Sequence, residues 1–455
     1  MAPSAIAPAA LFVLPRLRRP LRSEKKPEPL RERLSAVVEQ STLSLLDPAR
    51  IEAMCEDLGV VKLRRVHHLG LLVCSLVLSA LERQTDTSGR WLDAQAVYGQ
   101  LGGPRAGKTS FRNRTRQAVP VMRAMLDRRM AQLVEQTDDS ELRGRLQAFT
   151  NVLIPDGCAF KLANVLSGYF PGTGNPAELK LHAVYCVKTG MASVSQSAGR
   201  VHDNDRFAPA TWEPGALYIW DLGYNDTDRF VDAALGKAIP LQRLKRDANP
   251  VVLAWYDTTG RRHPLACDDG KPMRLEDASQ LEALARGAFD LDVELHDSAH
   301  RRVVARVVCV HYNGEDRYFL TMLPRDIFTP FDIAELYRLR WEVELFFRNW
   351  HGALRMDDVH RLRHPDSVQA HVYASLLAAV LARDIHAGLD RLTAQGETPA
   401  VALPTPSPVA FPPGAEETRY GRQRFGVDCG KRPVLPRRSM SPQATSHALR
   451  DLFAD

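Results

Sequence analysis

The chain has 455 residues, of which 45% are hydrophobic and 25% charged, enough apolar material for two or three cores and a normal globular balance. Its formal net charge of +6 comes with basic residues in clusters, which suits a polyanionic partner. The seven cysteines (Cys55, Cys74, Cys158, Cys186, Cys267, Cys309, Cys429) stand singly with no CxxC pair, which argues against a zinc cluster and for reduced thiols in a cytosolic compartment.

Residues 1–35 are rich in proline and basic side chains, among them Arg16, Arg18, Arg19, Arg22, Lys25 and Lys26, and read as an unfolded basic tail. The charges follow the apolar stretch, the reverse of a secretory signal. From 36 to 147 the pattern is helical with few β-type runs, an all-α module. Its longest apolar run, Leu69 to Ala80, is too short to span a bilayer and is flanked by charged residues, so a buried core helix, a cytoplasmic location and no membrane are expected. Between its helices, GGPRAGKTSFRNRTRQ reads as a loop in which Arg105, Lys108, Arg112, Arg114 and Arg116 concentrate five cations, suited either to solvent or to phosphates. Gly102–Thr109 fits the phosphate-loop pattern GxxxxGK[ST], and LYIWD at 217–221 resembles its partner strand. A phosphate loop needs a strand before it, whereas WLDAQAVYGQLG reads as helix, so no nucleotide cofactor is expected.

At about 148 the period changes. AFTNVLIPDG, ELKLHAVYCVKTG, MASVSQSAGRVHD and ALYIWDLG are strand-like, and NDTDRFVDAALGKA then reads as a helix before the short strand IPLQRLK, so that 148–246 forms a mixed α/β unit. Residues 247–323 return to β signals, with Asn313-Gly314 as a hairpin turn. Residues 324–398 are helical again, and 399–455 form a tail rich in proline and basic residues.

Within that helical return, Glu335 to Arg355 reads as one amphipathic helix. At ~100° per residue, Tyr337, Arg340, Trp341, Glu344, Arg348, His351 and Arg355 share one arc, and Leu336, Leu339, Val343, Phe346, Phe347, Trp350 and Leu354 share the next. A solvated charged face would look the same by spacing alone. Three carboxylates stand out by position: Asp156 after the apolar run LIP, Asp221 after LYIW, and Glu344 on this helix. Few carboxylates with room for water and phosphate oxygens suit Mg²⁺, although an aspartate after a strand is also an ordinary turn residue.

DGCAFKL (156–162), AELKLHAVYCVKTG (177–190), RVHDNDRF (200–207), LYIWDLGYNDTDRFVDAALGKA (217–238) and LTMLPRDIFTPFDIAELYRLRWEVELFFRNW (320–350), in that order, resemble the DDE transposases of bacterial insertion sequences. The subgroup is the one with a Tyr-x2-Arg-x3-Glu-x6-Lys signature, here Tyr337, Arg340 and Glu344, and the D-x-G-Y turn at Asp221, Gly223 and Tyr224 is its next most specific element. The resemblance implies a ribonuclease-H-like catalytic core interrupted by a β-rich insertion (247–323) and preceded by the all-α domain. It implies that Asp156, Asp221 and Glu344 are catalytic ligands of two Mg²⁺ or Mn²⁺ ions, and that Tyr337 and Arg340 contact the DNA of the element's ends. It further implies nicking at each end and attack of the freed 3′-OH on another phosphodiester, terminal inverted repeats and target DNA as partners, and a homodimeric synaptic complex in a bacterial cytoplasm.

The signature's lysine is replaced by His351, which carries no permanent charge at neutral pH. Arg348 and Arg355 on the same face are candidates for the missing cation. The replacement raises a second reading, a transposase-derived DNA-binding protein with impaired catalysis. Lys180, Arg243 and Lys245 are further candidate phosphate contacts, Trp255 is a core residue or a holder of a flipped base, and His202-Asp203 either adjoins the site or caps a loop.

Overall fold

The computed structural model describes residues 28–60, 68–81, 87–105, 107–136, 144–203, 207, 209, 211–245, 248–256, 260–264, 272–279, 289–312, 315–352 and 356–394. Of the tails expected at 1–35 and 399–455, residues 1–27 and 399–455 lie outside the described residues, while 28–35, expected to be unfolded, form the start of the first helix.

Five helices come first: α1 (Glu28–Leu45), α2 (Pro48–Asp57), α3 (Leu69–Leu81), α4 (Thr87–Gln100) and α5 (Lys108–Gln136). Helix α2 starts where Asp47 accepts from the amides of Ala49 and Arg50 and a proline fills its first turn, a cap with a fitting N1 residue. Helix α3 is buried nearly all round, as its unbroken apolar run requires.

The basic stretch expected as a loop is helical instead. Helix α5 opens at Lys108, so of the five cations only Arg105 precedes it. Phe111, Thr115, Ala118, Met122, Met125 and Leu133 recur at helical spacing and are buried, and no proline interrupts the chain between Lys108 and Ala118. In the sequence that buried stripe is diluted by the arginines between its members. Helix α4 stands before the phosphate-loop-like stretch, in agreement with the helical reading of WLDAQAVYGQLG.

Ten strands form one sheet in the order β3-β2-β1-β4-β5-β10-β9-β8-β6-β7. They are β1 (Val152–Lys161), β2 (Glu178–Cys186), β3 (Met191–Ala198), β4 (Leu217–Trp220), β5 (Ile239–Arg243), β6 (Val251–Tyr256), β7 (Arg262–Pro264), β8 (Phe289–His296), β9 (Arg302–Tyr312) and β10 (Glu315–Thr321). Among the described residues only β1–β4 and β4–β5 are parallel pairs, and α6 (Thr227–Leu235) makes the crossover between β4 and β5. Asp226 caps α6 by accepting from the Arg229 amide, and the chain turns at Gly236. The β-rich block after residue 247 extends this sheet, because β10 pairs antiparallel with β5. Besides its strands it contains the short helix α7 (Leu275–Ser279).

The expected single helix at 335–355 is divided into α8 (Pro330–Tyr337), a 3₁₀ turn at Arg338–Arg340 and α9 (Trp341–Gly352), with 353–355 outside the described residues. Thr329 and Asp332 form a reciprocal capping box at the start of α8. Helix α10 (Pro365–Ala394) packs among α1, α3 and α5. By length and composition Pro365–Leu392 is apolar enough to cross a membrane, and 61% of its apolar window is buried inside the protein.

Two apolar cores lie on the two faces of the sheet. One joins α2–α5, α8–α10 and the helix-side residues of β1–β5. The other gathers Phe207, Tyr218, Trp220, Tyr224 and Phe230 with Leu291, Val293 and Val307 of the later strands. An ion network ties those strands to the segment leading into α8. The buried Arg306 guanidinium donates to Asp290 at 2.8 and 2.6 Å and to the Leu323 carbonyl at 3.1 Å, while Arg325 bridges Asp290 and Asp292. Asp290→Ala strands the Arg306 charge in the interior and is expected to cost about 3–5 kcal/mol. Thermal unfolding followed by circular dichroism reads this as a clear fall in the melting midpoint, and an unchanged midpoint would contradict it.

Candidate active site

Strand alternation places the first two carboxylates. On β1, Val152, Ile154, Cys158 and Phe160 join the helix-side core while Leu153 packs against the other, so Asp156 faces the helices. On β4, Leu217 and Ile219 face the helices and Tyr218 and Trp220 the aromatic core, so Asp221, the next helix-side position, turns the same way. Val152 and Leu217 are partners in the parallel pair, and each aspartate lies four residues beyond its partner of that pair. The expected place of Asp156 is a strand end. It stands mid-strand instead, because β1 continues through Gly157 and pairs with β2 as far as Lys161.

The third carboxylate comes from α9, where Val343 and Phe347 are buried against the helix-side core and Phe346 packs on Tyr185 of β2 at 5.3 Å. Glu344 is thereby held over the β1–β4 edge, and the group between the carboxylates is Arg340. Its Nη2 lies 2.6 Å from Glu344 Oε1 and its Nε 3.6 Å from Asp221 Oδ1, and its side chain is only 14% exposed. Tyr337 donates a long hydrogen bond of 3.4 Å to the same Asp221 oxygen. Burial, then the Asp221 charge, pushes the Tyr337 phenol well up.

Asp156 is the carboxylate left over. Its Oδ1 accepts from the Gly157 amide at 2.8 Å, and among the described residues it has no ion pair. Burial pushes its pKa up to about 6; the Gly157 amide and Arg340 oppose the rise, and Asp221 and Glu344 add to it.

Beside Asp156 lies a polar group that spacing alone could not assemble. A Cβ at Gly157 would overlap Asp203 Oδ1, so glycine is what allows the 203 carboxylate to lie over β1. Lys180 Nζ pairs with Asp203 Oδ2 at 2.7 Å. His182 Nδ1 stands 3.1 Å from Asp203 Oδ1, close but not aligned as a hydrogen bond, and its Nε2 meets Ser197 Oγ at 2.7 Å. Burial would raise the Asp203 pKa, but His182 and Lys180 outweigh it and hold the group low. Burial and the neighbouring Asp203 and Asp156 charges push the Tyr224 phenol well up. Asp203 of the His202-Asp203 pair lies against β1 at Gly157, on the sheet face opposite to the one Asp156 turns to, and Lys180, a candidate phosphate contact by sequence, is paired with it. The Asp-Gly pair is the one sequence signal that points to this arrangement.

The remaining expected contacts are spread out. Arg348 is exposed on α9, Arg105 and Arg116 are exposed, Arg114 is half-buried, and Arg116 lies 3.9 Å from Asp366. The side chains of Lys108, Arg112 and Arg355 lie outside the described residues. His351 stacks on Phe160 of β1 with ring centroids 4.7 Å apart, and its Nδ1 donates to Asp357 at 2.9 Å. Arg243 is half-buried at the end of β5 and Lys245 is exposed. Trp255 is half-buried and stacked on His263 at 4.3 Å.

Among the described residues no group of three or more His, Cys, Asp or Glu side chains stands close enough to hold a metal ion. The donor chemistry nonetheless fits a hard divalent cation. Asp221 and Glu344 already share a cationic partner, and Asp156 is a carboxylate whose pKa is raised by its burial.

The fold and the site define a mixed α/β protein in which one guanidinium joins Asp221 and Glu344 over the parallel strands of its sheet, with Asp156 on the same face. Residues 148–381, just over half of the chain, match the family model described as the transposase DDE domain, and the chain belongs to that family. It is 41% identical over 66 residues to the transposase for insertion sequence element IS421 of Escherichia coli, a match covering 14% of this chain and 18% of that protein. The InsL protein of element IS186A from E. coli strain K12 matches to the same extent. The transposase for element IS231E of Bacillus thuringiensis subsp. finitimus is 20% identical over 268 residues, 51% of this chain and 56% of its own length. The chain thus spans between 18% and 56% of the length of these relatives.

Because the folded state binds the Asp156 proton more tightly than the unfolded chain, ionising this group opposes folding. Stability from this source is full below pH ~4, falls as pH rises to ~6, and stays reduced above, by up to about 3 kcal/mol. Asp156→Asn keeps an acceptor for the Gly157 amide and removes the charge. In EDTA it is expected to melt higher than the wild type at pH 7 and together with it at pH 4, and a constant difference across that range would refute the assignment.

Proposed function

We propose that the chain is a DNA transposase of an insertion element, with Asp156, Asp221 and Glu344 as the catalytic carboxylates. The observation that carries this reading is that the signature residues Arg340 and Tyr337 meet Asp221 and Glu344, with Asp156 on the same sheet face and within the electrostatic reach of all three charges. Strand order 3-2-1-4-5, with β1–β4–β5 parallel and the outer pairs antiparallel, supports a ribonuclease-H-like core, and β6–β10 correspond to the β-rich insertion at 247–323. In this division 36–147 is the DNA-binding domain and 148–246 with 324–398 the core.

The carboxylates would hold two Mg²⁺ or Mn²⁺ ions, which supply activation of the attacking oxygen and stabilisation of the leaving one. The protein's own part is positioning. Strands β1 and β4 fix two ligands on one face, α9 brings the third, and the Gly157 amide orients the Asp156 carboxylate so that its other oxygen is available. In the first step a water oxygen bonds to phosphorus, the bond to the 3′ oxygen breaks, and that oxygen leaves with a proton. In the second the freed 3′-OH makes the same in-line displacement on another phosphodiester. Arg340, Tyr337 and Arg348 would meet phosphates near the cleaved bond, with Arg355 beyond them. Arg105, Lys108, Arg112, Arg114 and Arg116 would meet the duplex along α5. Terminal inverted repeats and target DNA are the substrates, and two copies would pair the two ends in the cytoplasm, at the nucleoid. The reading as an impaired DNA-binding protein is not favoured, since all three carboxylates are present and gathered.

A nicking assay with Mg²⁺ or Mn²⁺ on duplexes carrying the repeats that flank the gene tests this. Asp156→Ala, Asp221→Ala and Glu344→Ala should each lower cleavage by roughly 10²–10³-fold or more while duplex binding persists. Equal cleavage by wild type and Asp156→Ala would remove the catalytic assignment.

A further inference from the structure

We propose that Arg340 is an internal counter-ion that occupies the carboxylate site before DNA is bound, and that a DNA phosphate must draw its guanidinium away before a divalent ion can load. The inference rests on the metal reading above and adds an order to it.

Four observations support it. Arg340 spans two of the three carboxylates, at 2.6 Å from Glu344 and 3.6 Å from Asp221. It is the least exposed partner of both pairs, with 14% of its side chain accessible against 33% for Glu344 and 43% for Asp221, so it is turned into the site and away from solvent. With it there, no three acidic side chains among the described residues converge enough for one ion. Finally, it sits on the 3₁₀ turn between α8 and α9, where helical hydrogen bonding changes register, and next to the partly exposed ring of Trp341, 5.4 Å from its guanidinium carbon. An outward path along that ring leaves the cation a partner on its way to a phosphate.

A guanidinium and a divalent ion compete for the same oxygens and repel each other. Metal and phosphate therefore assist each other's binding by the same factor, because each removes the obstacle to the other. Free protein would carry little metal, which keeps the hydrolytic site unarmed away from its substrate.

The test is Mn²⁺ titrated into the full chain with free Mn²⁺ read by electron paramagnetic resonance, first alone and then with a duplex of the element's terminal repeat. Without DNA, Arg340→Ala and Arg340→Gln should bind Mn²⁺ about tenfold tighter than the wild type. Adding the duplex should raise wild-type affinity by a comparable factor and that of the variants by much less. Variants that bind Mn²⁺ no tighter than wild type without DNA overturn the counter-ion role. Asp156→Asn separates the two layers. If it loses Mn²⁺ while the Arg340 variants match wild type, only the counter-ion falls; if it binds Mn²⁺ as the wild type does, with and without DNA, the metal reading falls with it.

Discussion

Three carboxylates cannot be gathered at the largely buried edge of a sheet without a cation among them, and the arrangement of this protein follows from how that repulsion is met. Asp221 and Glu344 are paired with Arg340, whereas Asp156 accepts one amide hydrogen bond, and burial raises its pKa although that amide and Arg340 oppose the rise. Three carboxylates against one guanidinium leave the site two positive charges short. A group selected for stability would not be left this way, because offsetting the cost of burial needs a partner for every charge. The deficit is what makes the edge receptive to a further cation, and it is the reason the same residues read as a strained corner of the fold and as its chemistry.

Holding such a corner takes support from the face of the sheet behind it. There Gly157 lets Asp203 lie across β1, and Lys180, with His182 and Ser197 beside it, fixes that carboxylate in turn. On the same face, Trp220 and Tyr218 anchor β4 in an aromatic cluster with Phe207 and Trp212, so the strand that ends in Asp221 has little freedom to slide. The later strands contribute through Arg306, whose bond to the Leu323 carbonyl reaches the segment that delivers α8. From there the Thr329–Asp332 box sets the direction of the helix and hence the height of Tyr337, Arg340 and Glu344 above the sheet.

Much of this is legible in the amino-acid sequence. The alternation LYIW into Asp221, the helical arc carrying Tyr337, Arg340 and Glu344, and the strand-helix-strand order each point to a specific physical pattern, and the motif order leads to the family that the match at 148–381 shows. What the sequence hides has equally specific causes. The burial of the first part of α5 is obscured by arginines alternating with its apolar positions, so the helix up to Gln117 reads as a loop. Asp156 reads as a strand end because an Asp-Gly pair usually marks a turn, and only the pairing with β2 shows the strand running on. The break at Arg338–Arg340 leaves no mark in an apolar period that continues across it. That the β-rich block joins the same sheet depends on the β5–β10 pairing, a long-range choice that local pattern does not encode.

His351 shows how a substitution within a motif can be absorbed. The related signature carries lysine there, which would extend toward solvent and phosphate. The imidazole instead lies flat on Phe160 at the far end of the strand that bears Asp156, with Asp357 accepting from its Nδ1. A flat ring with one donor suits that double contact, and a flexible ammonium does not. Helix α9 is therefore fastened to β1 at both ends, by Val343 and Phe347 near Glu344 and by the His351–Phe160 stack one to two turns later. A position that could have contributed charge contributes rigidity, and the exposed Arg348 on the same helix is left as the described cation facing outward near that end.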